Sequence, residues 1–405
     1  MKIALIVPGF SADEDDWCIP ALRNLVATLA RTDEIVVLAL RYPYRAARYT
    51  AFGARIIALG GAQARGLTSA AIWRKAVTAL HAEHRRRPID ALHAFWATEA
   101  GAIAAVAGRL LRIGSIVSLA GGELAHLPDI GYGDQLARAQ RAKVRLALRL
   151  ASHVTAGSRF LLDLAAPHLR HLPTARVHHL PLGIDTALFT PPHSPGSSLV
   201  PRTSYSTRHS APGTRHWSLV HAASLVPVKA QATLLHAVAH LHQHGHPATL
   251  TIAGEGPEEP RLRHLAASLG ITGAITFLGA VPHDHLPTLY QSGDLFVLTS
   301  RHEAQGMAPL EAAACGLPVV GTAVGILPEL ALDAATTVPT GDPAALADAI
   351  AAILTNPTRL AAMRVAARAL TTDRYSLPHT AVAFRALYHS LSNRPTNRPD
   401  LSNLA

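Results

Sequence analysis

Cysteine is nearly absent from this chain. Two thiols in 405 residues, Cys18 and Cys315, cannot build a disulfide framework, and they offer no zinc-type spacing. A reducing compartment suits such a chain. Aromatic residues are scarce too, at 5%, so there is no aromatic-rich basic platform for nucleic acid. Charged residues reach only 16%, which excludes a disordered chain. Acids are outnumbered, 27 Asp and Glu against 37 Lys and Arg, for a net charge of +10 with neutral histidine. That excess suits an anionic partner, whether nucleotide, phospholipid surface or nucleic acid, without choosing among them. Long hydrophobic runs are also missing. The most apolar stretch, 99–122, is interrupted by Arg109 and Arg112, and no segment reads as membrane-spanning. The opening MKIALIVPGF lacks the length and cleavage site of a signal peptide. It reads as a first strand, and the expected compartment is the cytoplasm.

What the chain does have is apolar bulk, 49% of its residues, in short runs between helix-length segments. Lys2–Val7, Glu34–Leu40, Ala91–Ala94, Ser115–Leu119 and His153–Thr155 read as buried strands. Residues 69–86, 98–111, 134–150 and 158–166 read as helices between them. The alternation breaks at 190–216, where Pro, Ser, Thr, Gly and basic residues cannot bury a core. It then resumes, with strands at 217–223, 248–253, 274–278, 294–298 and 318–321 and helices at 229–244, 258–269, 284–291, 309–315 and 343–355. The expected fold class is α/β, with two Rossmann-like doubly wound domains of parallel sheet facing across a cleft. The expected boundaries are 1–189 for a first domain, 190–216 for a flexible linker and 217–375 for a second domain. Residues 376–405 would be a C-terminal helix and tail, the helix able to pack back on the first domain. No repeat at solenoid period is present.

In open parallel sheets ligands sit at the carboxyl ends of strands. RHEAQGMAPLEAAACGLPVV, residues 301–320, follows such an end. Glu303 falls in the strand-to-helix loop. Gly306, Met307 and Ala308 lead into Pro309, which suits a first helical position, and Glu311 falls in the first turn. The free N–H groups of that turn attract an anion. Taken singly, Glu311 reads rather as a complement to the helix dipole and Glu303 as a solvated loop residue.

The surrounding phrases resolve that ambiguity. Glu303 to Val320 resembles the Glu-x7-Glu signature of the retaining glycosyltransferases of family 4, which have the two-domain GT-B fold. LVPVKAQATLLHA (225–237), IAGEGPE (252–258), FLGAV (277–281), LYQSGDLFVLTS (289–300), GILPEL (325–330) and the hinge phrase LPLGIDTALFTP (180–191) follow the same family pattern. The resemblance implies roles, with 1–189 as the acceptor domain and 217–375 as the nucleotide-sugar domain. Lys229 would meet the donor diphosphate as the glycosidic bond breaks, Glu303 would hold the donor sugar, and Glu311 would accept from ribose hydroxyls. The N–H groups of Gly306, Met307 and Ala308 would face sugar and phosphate. Ser224 lies in the phosphate loop, and the bend at Gly254–Gly256 with the backbone near Val281 would line the base pocket. Gly9, after the first strand, and Gly121 and Gly122 in AGGELAHLPDIGYG would serve the acceptor or phosphate side.

Two departures stand out. The family's Gly-Arg pair before the lysine is Ala223 and Ser224 here. Its strand-end histidine falls on Ala120, with His93 or His126 as substitutes. DEDDW (13–17) reads as a solvated loop rather than a metal site, and HLHQHGH (240–246) has no carboxylate or thiol nearby, so no obligatory metal or other cofactor is expected. Arg138, Arg141, Arg145 and Arg149, spaced three and four apart without an acid in 135–150, raise peripheral contact with the inner face of a membrane beside the plainer reading of a solvated helix. The expected function is transfer of a sugar from a nucleotide-diphosphate sugar to an acceptor hydroxyl of unknown identity, with no nucleic-acid partner. The alternative is a nucleotide-sugar-binding protein that lacks transfer activity.

Overall fold

The short apolar runs become strands because helices cover both faces of the sheets they form, leaving Ile3, Leu5, Val37, Leu219 and Val297 1% exposed or less. The computed structural model describes residues 1–61, 67–192, 216–331 and 333–392. They divide into two units, Met1–Gly183 with the segment from Leu377, and Ile184–Ser376. Most of the expected linker, 193–215, lies outside the described residues. Residues 184–189, expected with the first domain, lie in the second unit, where the Ile184 N–H donates to Tyr375 O at 2.7 Å.

The first unit runs β1 (Lys2–Gly9), α1 (Pro20–Leu29), β2 (Glu34–Tyr42), β3 (Ala46–Ala51), β4 (Ala54–Leu59), α2 (Leu67–Arg86), β5 (Ala91–Phe95), α3 (Glu99–Leu111), β6 (Ser115–Leu119), α4 (Arg138–Leu150), β7 (His153–Ala156), α5 (Arg159–Leu169) and β8 (Val177–His179). The sheet order is β3-β4-β2-β1-β5-β6-β7-β8. One edge departs from the expected parallel pattern, since β3 pairs antiparallel with β4. Phe52 and Gly53, at φ 53° and 74°, form a two-residue turn of the kind that joins only antiparallel neighbours. Strand order reverses between β1 and β5, so their carboxyl ends make a topological switch point.

The second unit runs β9 (Trp217–Ala222), α6 (Gln231–Gln243), β10 (Ala248–Ala253), α7 (Glu259–Ser268), β11 (Ile275–Gly279), α8 (Leu286–Gln291), β12 (Leu295–Leu298), α9 (Met307–Ala314), β13 (Val319–Thr322), α10 (Leu327–Leu330), β14 (Ala335–Val338), α11 (Pro343–Leu354) and α12 (Pro357–Arg374). Its order, β11-β10-β9-β12-β13-β14, is wholly parallel. Reversal here falls between β9 and β12. The last helix, α13 (Leu377–Leu391), returns to the first unit. There Phe384 and Tyr388 share a core with Ile3, Leu5 and Leu22.

Candidate functional site

Lys229 and Glu303 follow β9 and β12, the two strands that flank the switch point of the second unit. Lys229 does not begin a helix as expected. It closes the 3-10 turn Pro227–Lys229, and α6 starts only after Ala230, which is left-handed at φ 48°, ψ 41°. Two bonds staple this turn to the loop after β12: Thr299 Oγ1 donates to Lys229 O at 2.9 Å, and the Arg301 N–H donates to Val228 O at 2.8 Å. The side chains then meet. Lys229 Nζ lies 2.5 Å from Glu303 Oε1, which also accepts from Ser300 Oγ at 2.6 Å. Both remain partly open, at 21% and 13% side-chain exposure, so a ligand can reach them.

The turn 325–330 supports Glu303 from beneath. A Cβ on Gly325 would stand 2.4 Å from Gln305 O and 2.7 Å from Glu303 Cβ. The Ile326 N–H donates to Gln305 O at 2.6 Å. Gly306 caps α9 at φ 93°, leaving the leading N–H groups of the helix at Met307 and Ala308 without intrahelical acceptors. All three residues are half-buried. Two expectations are corrected here. Pro309 is the third helical residue, not the first, because Gly306 turns the chain early. Glu311 consequently sits in the second turn, and it is buried at 6% exposure.

That burial gives Glu311 protein partners. Tyr290 donates its hydroxyl to Oε2 at 2.9 Å, and His283 Nε2 lies 3.1 Å from Oε1. Sequence reasoning missed both residues. One histidine among 24 carries no signal, and the partners stand 28 and 21 residues before Glu311.

The loops after β9, β10 and β11 are laced together. The Gly254 N–H donates to Gly279 O at 2.7 Å, Ala223 N–H to Ala253 O at 3.0 Å and Leu225 N–H to Glu255 O at 2.9 Å. Gly254 is obligatory, because at φ 132° a Cβ would lie 2.0 Å from Ala223 O. Ser224 is exposed on this lacing and Val281 is half-buried beyond β11. Beneath them His221 is fully buried, its Nδ1 2.8 Å from Val297 O and its Nε2 3.4 Å from Gln231 Nε2. Gln231 in turn donates to Ser224 O at 3.0 Å. Burial pushes the His221 imidazole down to about 4, so it is a neutral brace beneath the loop after β9.

Gly9, Gly121 and Gly122 belong to the first unit. The close approach that Gly9 permits is to Tyr42, whose Cβ would lie 3.0 Å from an added Cβ. The Gly121 N–H is already committed: it donates to Glu123 Oε2 at 2.6 Å, while Ala97 and Ala120 donate to Oε1 at 3.1 and 3.0 Å. Gly122 packs on Tyr132. Glu123 is fully buried, and desolvation raises its carboxyl against the pull of those N–H groups. His93 cannot stand in for the family's strand-end histidine. It is sealed in the core, with Nδ1 2.8 Å from the Tyr388 hydroxyl and Nε2 2.7 Å from Ser118 Oγ, and burial lowers it to about 3. His126 is exposed in the loop after β6.

The acidic run 13–17 folds on itself, with Asp13 Oδ1 accepting from the N–H groups of Asp15 and Asp16. His240 and His244 stack at 4.2 Å. Among the described residues no cluster of three metal-ligating side chains occurs, and no helix is long and apolar enough to cross a membrane.

The family model described as Glycosyl transferases group 1 matches residues 208–370, and the one described as Glycosyl transferase 4-like domain matches 19–183. A GDP-mannose-dependent α-(1-6)-phosphatidylinositol monomannoside mannosyltransferase of Mycolicibacterium smegmatis is 34% identical over 212 residues, 50% of this chain and 53% of that protein. A D-inositol 3-phosphate glycosyltransferase of Corynebacterium urealyticum is 36% identical over 150 residues, 36% of this chain and 35% of that one. The chain thus spans about half the length, or less, of these curated relatives. Among solved structures, the sucrose-phosphate synthase of Thermosynechococcus elongatus superimposes with a TM-score of 0.75 at 20% identity, covering 96% of this chain and 98% of that one. Anabaena Alr3699/HepE, solved with UDP and glucose, gives 0.69 at 18% identity, covering 96% and 100%. At such identities the likeness shows the fold, which is GT-B.

Proposed function

The chain belongs to glycosyltransferase family 4, and on that premise we propose that it is a retaining glycosyltransferase, moving a sugar from a nucleotide-diphosphate-sugar donor to an acceptor hydroxyl. The observation that carries this reading is the Lys229–Glu303 pair at the β9/β12 switch point, beside the N-terminal end of α9. A cation, an anion and a row of N–H groups at one strand edge match the three things such a donor presents: diphosphate, sugar hydroxyls and developing negative charge. Lys229 stabilises the charge that builds on the leaving phosphate, and the N–H groups near Gly306 add to it. Glu303 orients the sugar through its hydroxyls. Glu311 takes the ribose hydroxyls, and the bend at Gly254 with the backbone near Val281 borders the base.

Retention follows if the acceptor attacks on the face the leaving group vacates, its proton passing to the departing phosphate. That route needs no protein nucleophile and no obligatory metal. The relatives' names make GDP-mannose the first donor to test, with inositol-bearing and lipid-linked alcohols heading the acceptor panel. The arginine face of α4 would bring the enzyme to an anionic membrane carrying such an acceptor.

In a transfer assay run with EDTA present, Lys229→Ala and Glu303→Ala each lower turnover by at least about a hundredfold, the scale of one lost transition-state contact. Near-full rates in either variant would remove these roles. Ser224 in place of a cation, together with the sealed His93, favours a second reading, a nucleotide-sugar-binding protein without transfer activity. Calorimetric binding of nucleoside diphosphates without turnover across the acceptor panel would select it.

A further inference from the structure

Glu311 arrives at its site already hydrogen-bonded. Among the described residues two side chains bond its carboxylate, one on each oxygen: the Tyr290 hydroxyl on Oε2 at 2.9 Å and His283 Nε2 on Oε1 at 3.1 Å. A carboxylate offers about four lone-pair sites, two per oxygen. One site on each oxygen is taken, and one on each is left. Two parallel acceptor positions are what a vicinal diol needs.

The two donors are themselves held rigidly. Tyr290 is fully buried, its ring edge-on to Phe296 at 5.8 Å and 73°. Burial, then the neighbouring Glu311 charge, lifts its phenol well above the ordinary range, so it stays a donor. His283 stands edge-on to Phe189 at 5.2 Å and 79°, and Phe189 also lies against Tyr290 at 6.1 Å. The backbone of Phe189 is tied down by Arg368, whose Nη1 donates to Phe189 O at 2.7 Å and to Ala314 O, at the end of α9, at 2.9 Å. The hinge phrase, α8 and α9 therefore meet around one carboxylate.

The geometry points to Tyr290 and His283 as positioning residues that set the orientation of the Glu311 carboxylate, so that it reads the 2′- and 3′-hydroxyls of a nucleoside diphosphate and selects ribose over deoxyribose. This rests on the ribose role proposed for Glu311. Neither residue touches the reacting atoms. Their loss weakens donor binding and ribose discrimination while leaving the chemical step alone.

The test uses UDP and GDP with their 2′-deoxy and 3′-deoxy forms, titrated calorimetrically into the whole chain. The wild type binds one of the two ribonucleotides and prefers it to the deoxy forms by about 10- to 100-fold, the range for a hydrogen bond to a charged group. Tyr290→Phe and His283→Ala each bind that ribonucleotide roughly tenfold more weakly and lose most of the ribose preference. His283→Gln, which restores an N–H donor, recovers it. At saturating donor, turnover of Tyr290→Phe stays within about threefold of wild type, since the ribose contact is made equally in the ground and transition states. Thermal unfolding checks that each variant is folded. If Tyr290→Phe is not, the His283 pair carries the test.

Wild-type preference for ribose that persists undiminished in the folded variants overturns the positioning role while sparing Glu311. Preference that also survives Glu311→Gln overturns both. Absence of any binding by UDP or GDP removes the proposed function and this inference with it.

Discussion

Ala230 follows the proposed diphosphate lysine at φ 48° and ψ 41°, a left-handed conformation that crowds a Cβ against the next carbonyl. Glycine adopts it freely. Ala230→Gly should therefore raise stability by about 1 kcal/mol, the relief of left-handed strain less the extra chain entropy of glycine. A urea midpoint that stays level or falls would show that the turn holds alanine without strain. The Lys229–Glu303 pair is a different matter. With both side chains partly exposed, an ion pair of this kind contributes under about 1 kcal/mol to folding. The alanine variants proposed above should stay folded, so their losses report on chemistry. In the absence of donor the two charges neutralise each other. In the proposed donor complex that contact would give way to phosphate on the lysine and sugar hydroxyls on the glutamate.

At the scale of elements, short loops on rigid strands position the site. The loop after β9 is bonded to the loop after β12 on one side and to that after β10 on the other, so its lysine has little freedom to wander. The α4 helix shows the opposite case, a basic face turned largely to solvent. Val144, Ala147 and Leu148 are buried, while Arg138, Arg145 and Arg149 are exposed and Leu146 is 37% exposed. Basic side chains beside an exposed apolar one suit an anionic surface, each charge near it contributing about 1 kcal/mol. Replacing Arg138, Arg141, Arg145 and Arg149 with glutamine should lower co-sedimentation with phosphatidylserine vesicles at least about tenfold and spare neutral vesicles. Unchanged co-sedimentation would assign α4 to solvent.

At the scale of the whole molecule, each unit carries a buried histidine that it keeps neutral. His93 is pushed down to about 3 and His221 to about 4, both chiefly by burial, from an ordinary value of 6.5. Below about pH 6.5 the unfolded chain takes up protons that the folded chain refuses. The stability these residues contribute is complete above that pH and is lost as pH falls toward their folded values, by roughly 1 kcal/mol per pH unit for each histidine. Urea unfolding at pH 7, 6 and 5 should show the decline before the carboxylates begin to titrate. A flat profile would mean that these imidazoles are not buried neutral.

How much of this was legible beforehand depended on whether the signal was local. The buried strands could be read because parallel strands covered on both faces must be continuous apolar runs. The β3–β4 hairpin could not, since AARYTA is a half-exposed edge with few large apolar residues and its Phe-Gly turn lacks the usual Asn-Gly or Asp-Gly cue. Helix α1 was legible but went unread: Leu22, Leu25, Val26 and Leu29 stand at i, i+3, i+4 and i+7, a helical period plain in the sequence. Glu303, Glu311 and Lys229 were found by their phrases, yet the depth of Glu311 was not, because Gly306 starts the helix two residues early.

By itself the sequence determined the two alternating α/β halves, the family, and which loops carry charge at strand ends, because period and spacing are properties of neighbours along the chain. Only the tertiary structure decided that Lys229 and Glu303 touch, that Tyr290 and His283 hold Glu311, that Gly121 spends its N–H on Glu123 and that His93 is sealed. Those facts depend on which distant segments the strand order brings side by side, and on how much water is left between them.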